Sequence, residues 1–136
     1  IRNSKCLDVH SGKDEEGRQT IVWKRHNGAN QRWKVVYTDK AKKEQTTGLN
    51  KEFGFHIGRP FYLVSRLPMK RVAEAIGASN VALKRYTKGR AAQQFFFDGV
   101  SKTIRSNHWK NYAMEIQSNG KSANLRMTSG ITSRWW

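Results

Sequence analysis

Three carboxylates sit at the centre of short apolar stretches: Asp8 in Cys6-Leu7-Asp8-Val9, Glu74 in Val72-Ala73-Glu74-Ala75 and Glu115 in Ala113-Met114-Glu115-Ile116. A carboxylate so placed has a structural use, accepting bonds from neighbouring backbone amides to hold a turn, and a recognition use, accepting bonds from a ligand's donors. The second chemical theme is a cation beside an aromatic, in Trp23-Lys24-Arg25-His26, Lys84-Arg85-Tyr86, His108-Trp109-Lys110 and Arg134-Trp135-Trp136. Such interleaving can stack bases and neutralise phosphates. No nucleic-acid motif accompanies it, and alternation along a sheet sets solvated cations beside aromatics unaided, so nucleic acid ranks behind other polyanions as a partner. His10, His26, His56 and His108 are scattered, without metal-ligand spacing or a cysteine cluster, so no metal or other cofactor is expected. Asn27-Gly28 and Asn119-Gly120 are turn formers, not phosphate loops. No pair of groups is spaced for nucleophilic or acid-base work, and the chain reads as non-enzymatic.

The elements that carry these residues recur. Each acidic strand is followed by a second apolar pair and then by a step onto an aromatic: Gln31-Arg32-Trp33, Gln94-Phe95-Phe96 and Ser133-Arg134-Trp135. One unit is used three times, and a unit this small must pool its apolar face with its copies. The acids lie 66 and then 41 residues apart, and the aromatics Trp33, Phe96 and Trp135 lie 63 and 39 apart. Both intervals place an insertion in the same region. The expected division is a single domain over residues 1–136, with repeats at about 1–38, 59–100 and 101–136 and a basic loop insertion at about 39–58. Period-two alternation, broken by Gly, Asn and Ser clusters, predicts many short strands and an all-β fold. Thr20 and Val22, Val81 and Leu83, and Leu125 and Met127 are expected to point inward, leaving the alternate positions to diverge copy by copy. Trp33, Phe96 and Trp135 are read as a shared structural core, each costing about 3–5 kcal/mol on truncation.

A chain of 136 residues can bury one real core. With 26 Lys and Arg against 10 Asp and Glu, the formal charge is +16, yet aromatics reach 11%, enough to support folding and to exclude a disordered basic tail. The surplus attracts polyanions such as acidic protein surfaces, charged glycans or nucleic acid. The single cysteine, Cys6, forms no intrachain disulfide and weakly favours an intracellular, reducing compartment. It needs no role beyond that of a small half-buried strand residue. No apolar run approaches the ~20 residues of a spanning helix. The chain begins with Ile and ends within a repeat motif at Trp135-Trp136, which suggests a segment of a longer polypeptide.

Strand with central Asp, Gly-rich turn, apolar strand ending in Trp, and then Gly-Ala-Asn-Gln-Arg-Trp: residues 5–35 resemble the QxW repeat of ricin B-chain type lectins. The second copy, from Val81-Ala82-Leu83-Lys84 to Gln94-Phe95-Phe96, is a drifted version, and the third keeps only Ser133-Arg134-Trp135. The resemblance implies a β-trefoil with pseudo-threefold symmetry and three repeats of ~40 residues, six strands forming a short barrel and six capping one end. It also implies a carbohydrate site in the first repeat, carried over onto Asp8 as hydroxyl acceptor, Trp23 as stacking platform, and Asn30 and Gln31 as further hydrogen-bond partners. Ile21 departs from the pattern, standing where a polar residue would contribute. Glu74 and Glu115, with Lys84 and Thr128 in place of the platform, leave the other copies without a flat apolar surface.

Two functions follow as expectations. The first is a non-catalytic recognition module that binds glycan through Asp8, Trp23, Asn30 and Gln31. The second is a sugar-blind structural or scaffolding module whose basic surface docks on an acidic partner in a large assembly, such as a filament, an organelle complex or a nucleoprotein.

Overall fold

The computed structural model describes residues 5–38, 54–77, 80–118 and 123–128. Ten strands are present among them: β1 (Lys5–Val9), β2 (Thr20–Lys24), β3 (Trp33–Tyr37), β4 (Phe61–Ser65), β5 (Val72–Ile76), β6 (Asn80–Lys84), β7 (Phe95–Asp98), β8 (Thr103–Ser106), β9 (Ala113–Ser118) and β10 (Ala123–Thr128). All pairings between strands are antiparallel, in the order β1-β2-β10-β9-β8-β7-β4-β5-β6, with β3 on β4. The sheet curls until its ends meet, where Gln19, just ahead of β2, bridges Ala82 of β6. The architecture is a β-trefoil. Closure of this kind removes the open edges that would otherwise template association.

The predicted alternation holds. Thr20, Val22, Val81 and Leu83 are all buried, and Leu7, Val22, Phe61, Leu63, Phe95, Phe97 and Met114 share one apolar cluster. A smaller cluster of Val9, Leu67 and Leu83 lies against Ala29 and Trp33. Leu125 and Met127 fall on β10, in a part of the chain whose side chains lie outside the described residues, as does Trp135.

Equivalent hydrogen bonds align the first two units. Gln31 closes the 3-10 turn Ala29–Gln31, donating from Nε2 to Lys24 O (2.8 Å) and accepting the His26 amide at Oε1 (2.8 Å). Gln93 closes the 3-10 turn Ala91–Gln93 in the same way, donating to Arg85 O (2.7 Å) and accepting the Thr87 amide (2.9 Å). Ser65 and Ser106 match as well: each donates its backbone amide to the carbonyl of the residue before the next acidic strand, Arg71 O and Tyr112 O respectively.

These bonds correct one expectation. The counterpart of Trp33 is Phe95, two residues after Gln93, and not Phe96. Phe95 and Phe97 are fully buried and face the barrel, while Phe96 between them lies half-buried on the opposite face, as period two requires. Trp33 itself is only partly buried and donates from Nε1 to Leu7 O at 3.1 Å.

Of the expected insertion at about 39–58, only the C-terminal end, from Gly54, falls among the described residues. Asp39–Gly48 lies outside the described residues, but Phe55 stacks between Phe61 (5.3 Å between centroids) and Phe97 (5.4 Å), and Ile57 bridges Phe97. β3 and β4 pair over their full length, from Trp33 opposite Ser65 to Tyr37 opposite Phe61, so the extra chain leaves and rejoins at the far end of this hairpin.

Candidate functional site

The first unit carries a cleft of about 470 Å³ whose walls include Asp8, Ile21, Trp23, His26 and Asn30. The β1–β2 register builds it. Asp8 stands opposite Ile21 and Cys6 opposite Trp23, and because these pairs are two residues apart all four share one face of the hairpin. Leu7 and Val22, one step along, point to the core instead. Ile21 is 5% exposed despite lying on the outer face, and it supplies an apolar floor where the family pattern has a polar group. Trp23, at 44% exposure, presents its ring to solvent at the rim.

Asp8 is nearly buried and held by side chains more than twenty residues away. Its Oδ1 accepts from Asn30 Nδ2 at 2.8 Å and its Oδ2 from Gln31 Nε2 at 2.7 Å. A carboxylate offers about four lone-pair positions, so the amides fix its orientation and leave acceptor capacity on the cleft side. Gln31 therefore acts from behind. It does not line the cleft but ties Asp8 to Lys24 O and the His26 amide through three bonds of one carboxamide. Of the four predicted site residues, the fold brings Asp8, Trp23 and Asn30 to one cavity and places Gln31 as their support.

His26, Gly28 and the Ser11-Gly12 turn belong to the same site, and sequence reasoning did not single them out for it. His26 Nδ1 accepts from the Gly28 amide (3.2 Å), which puts the ring proton on Nε2, 3.4 Å from Asp8 Oδ2. A methyl group at Gly28 would come within 2.6 Å of Asn30 Oδ1 and 2.7 Å of His26 Cε1, so this position must be bare for both side chains to reach the acid. Ser11 and Gly12 have φ of 58° and 65°, a left-handed pair that turns the chain along the cleft wall. The signal for His26 lay in the run Trp23-Lys24-Arg25-His26. Its Arg25 is taken up by the turn, donating from Nε to Asn27 Oδ1 at 2.9 Å.

The second unit repeats the frame with different contents. Glu74 faces Ala82 as Asp8 faces Ile21, and it is buried, but Arg90 pairs with it through Nε and Ala92 replaces Asn30. A cleft of about 330 Å³ remains there, bounded by Arg90, His108 and Trp109. Glu115, on β9 opposite Arg126, is buried too. Among the described residues no three His, Cys, Asp or Glu side chains converge as metal ligands, and no helix is long and apolar enough to cross a membrane.

No family model matches this sequence, and none of the curated proteins resembles it significantly in sequence. Solved structures do resemble the fold. A designed threefold-symmetric protein, ThreeFoil, superposes with a TM-score of 0.65 at 20% identity, over 93% of this chain and 81% of that one. The β-trefoil lectin of the Vibrio vulnificus hemolysin/cytolysin, solved with N-acetyl-D-lactosamine bound, gives 0.59 at 20% identity, over 93% and 77%. The C-terminal domain of an earthworm lectin, a mutant in complex with 6'-sialyllactose, gives 0.61 at 18% identity, over 96% and 85%. At these identities the likeness defines the class, a β-trefoil, and nothing finer.

Proposed function

We propose that the chain is a non-catalytic recognition module that binds glycan in the first-unit cleft. The observation that carries this reading is the pairing of an exposed indole, Trp23, with a buried carboxylate oriented by two amide donors, Asn30 and Gln31. A pyranose has an apolar face that lies on an indole and hydroxyls that a fixed carboxylate can accept. Ile21 beneath it adds apolar contact but no bond. The lectins among the structural neighbours bind N-acetyl-D-lactosamine and 6'-sialyllactose, which gives the class of ligand to screen first.

The test is a glycan array on the isolated domain beside Trp23→Ala and Asp8→Ala. Selective signal that both substitutions abolish is the expected result. Trp23 is exposed, so its truncation leaves the fold intact, and a blank array for the parent chain removes the reading.

A second reading is favoured by the charge distribution. Among the described residues Asp14, Glu15, Glu16, Glu74 and Asp98 all pair with arginines of the same chain, and the sequence as a whole carries a formal charge of +16. A sugar-blind scaffold docking on an acidic partner would use that charge. Its binding would weaken steeply with added salt, whereas insensitivity to ionic strength would count against it.

A further inference from the structure

A groove away from the glycan cleft crosses four strands on the outer face of the sheet. Lys34 of β3 pairs with Val64 of β4, Val64 with Val72 of β5, and Val72 with Lys84 of β6, so these four residues form one rung and project to one side. The next rung adds Val36 opposite Tyr62. Tyr86 meets Tyr62 edge-on at 5.1 Å, and Gln94 Nε2 donates to the Tyr62 hydroxyl at 3.2 Å, so the aromatic wall is fixed. The space enclosed is about 400 Å³, with Val36 and Val64 as the half-buried floor, Val72 buried beneath, and Tyr62, Tyr86 and Lys70 on the walls.

Among the described residues, charge at this groove is one-sided. Lys70 lines it, and Lys34 and Lys84 stand at the two ends of the Val64–Val72 rung. The acids of the surrounding elements are already engaged, Asp14 and Glu16 with Arg71 and Glu74 with Arg90. Adjacent strands lie ~4.8 Å apart, so three steps separate the two ends of the rung by ~14 Å. An extended peptide advances ~3.4 Å per residue and turns alternate side chains to the same side, so residues i and i+4 are also ~14 Å apart and i+2 falls midway.

We propose that this groove docks an extended acidic peptide, with acidic side chains at i and i+4 against Lys34 and Lys84 and an apolar side chain at i+2 seated on Val64. The match is in spacing, sign and polarity together. Single-stranded nucleic acid would want flat aromatic faces under successive bases, and this floor is valine. The proposal is independent of the glycan reading, since none of these residues lines the first-unit cleft.

Fluorescence anisotropy with a labelled synthetic peptide, two glutamates separated from a central leucine by single serines, measures the binding. Lys34→Glu with Lys84→Glu should weaken it about tenfold or more, from two rim pairs turned repulsive. The same double variant should gain binding to the peptide carrying lysines in place of glutamates. Replacing leucine by serine in the peptide should weaken binding to the parent chain. A control pair, Lys5→Glu with Lys110→Glu, makes the same change in net charge at exposed residues that do not line the groove and should leave affinity within about twofold at physiological salt, where exposed charges are screened. Melting temperatures confirm that each variant is folded, and Trp23→Ala should bind the peptide as the parent does. Equal losses from the control pair, failure of the charge swap, no saturable binding to the parent chain, or displacement by oligo(dT) at lower concentration than by unlabelled peptide would each overturn the proposal, the last in favour of nucleic acid.

Discussion

Replacing Gln31 by Ala separates the frame of the proposed glycan site from its surface. The carboxamide makes three bonds: to Asp8 Oδ2, to Lys24 O and from the His26 amide. The two backbone groups are exposed and recover water when Gln31 is cut, so their net cost is small. Asp8 is 2% exposed and cannot rehydrate in the same way, and a buried charged group short of one donor costs about 1–3 kcal/mol. A loss near 2 kcal/mol lowers the melting temperature of a domain this size by about 6–10 °C. Glycan affinity should fall with it by about tenfold, because the carboxylate is no longer fixed. Gln93→Ala is the matched control. It removes the equivalent clasp from a fully buried glutamine that bonds Arg85 O and the Thr87 amide, so it should destabilise to a similar degree and leave glycan affinity unchanged. Gln31→Glu should be worse than Ala at neutral pH, since it removes the donor to Asp8 and sets a like charge against it. Thermal melts and glycan titration of the three variants decide the matter. A Gln31→Ala protein that keeps both its melting temperature and its affinity would refute the support role, and a Gln93→Ala protein that loses glycan would show that the two clasps are not independent.

Gly28→Ala should cost about 1–3 kcal/mol by forcing His26 and Asn30 apart and should abolish glycan binding, and an unchanged titration would mean that neither side chain matters to it. Phe95→Ala should destabilise by about 3–5 kcal/mol and Phe96→Ala by less than about 1, as urea unfolding will show, and the reverse order would mean that the second unit is misaligned. Arg71 is largely buried and bonds Asp14 O, Asp14 Oδ1 and Glu16 Oε2, pinning the β1–β2 connection to the approach of β5, so Arg71→Ala should cost about 2 kcal/mol in the same assay. Burial alone would raise the Asp98 carboxyl, but bonds from Ser101 Oγ and the Val100 amide, with the charge of Arg105, outweigh it and hold it below the ordinary aspartate range. A depressed folded value means that this contribution is full above the unfolded aspartate pKa of about 3.9 and is lost as pH falls below it. Asp98→Asn should therefore flatten the acid limb of the stability profile, and an identical limb would place that sensitivity elsewhere.

How much of this was legible in the chain depends on how local the deciding contact is. The acids, the alternation and the glutamine step of the first unit are one-dimensional patterns; their repetition pointed to an all-β fold, and the β-trefoil was implied by the resemblance to the ricin B-chain type repeat. The second-unit aromatic was misplaced because Gln93-Gln94-Phe95 and Gln94-Phe95-Phe96 both satisfy the same spacing. What separates them is which glutamine reaches back to Arg85 O and Thr87 N, a three-dimensional fact. Phe55 and Ile57 were absorbed into a loop because the charged stretch before them dominates the local composition, while their burial depends on Phe61 and Phe97. The rung from Lys34 to Lys84 joins residues fifty apart through two intervening strands, and no sequence window contains it.

The two acid sites show how one frame yields different chemistry with few changes. Gly28 and Arg90 each stand immediately before the 3-10 turn that carries the clasping glutamine. In the first unit that position is bare, Asn30 reaches the acid, and Asp8 is oriented by neutral amides that leave its charge in place. In the second unit the same position holds a guanidinium, Asn30 is replaced by Ala92, and the longer Glu74 extends into an ion pair. An acid already paired with arginine has little to offer a hydroxyl, because a ligand must first displace a charge-assisted contact. Gly28 and Arg90, more than the choice between Asp and Glu, therefore decide which unit keeps a carboxylate free to recognise a ligand.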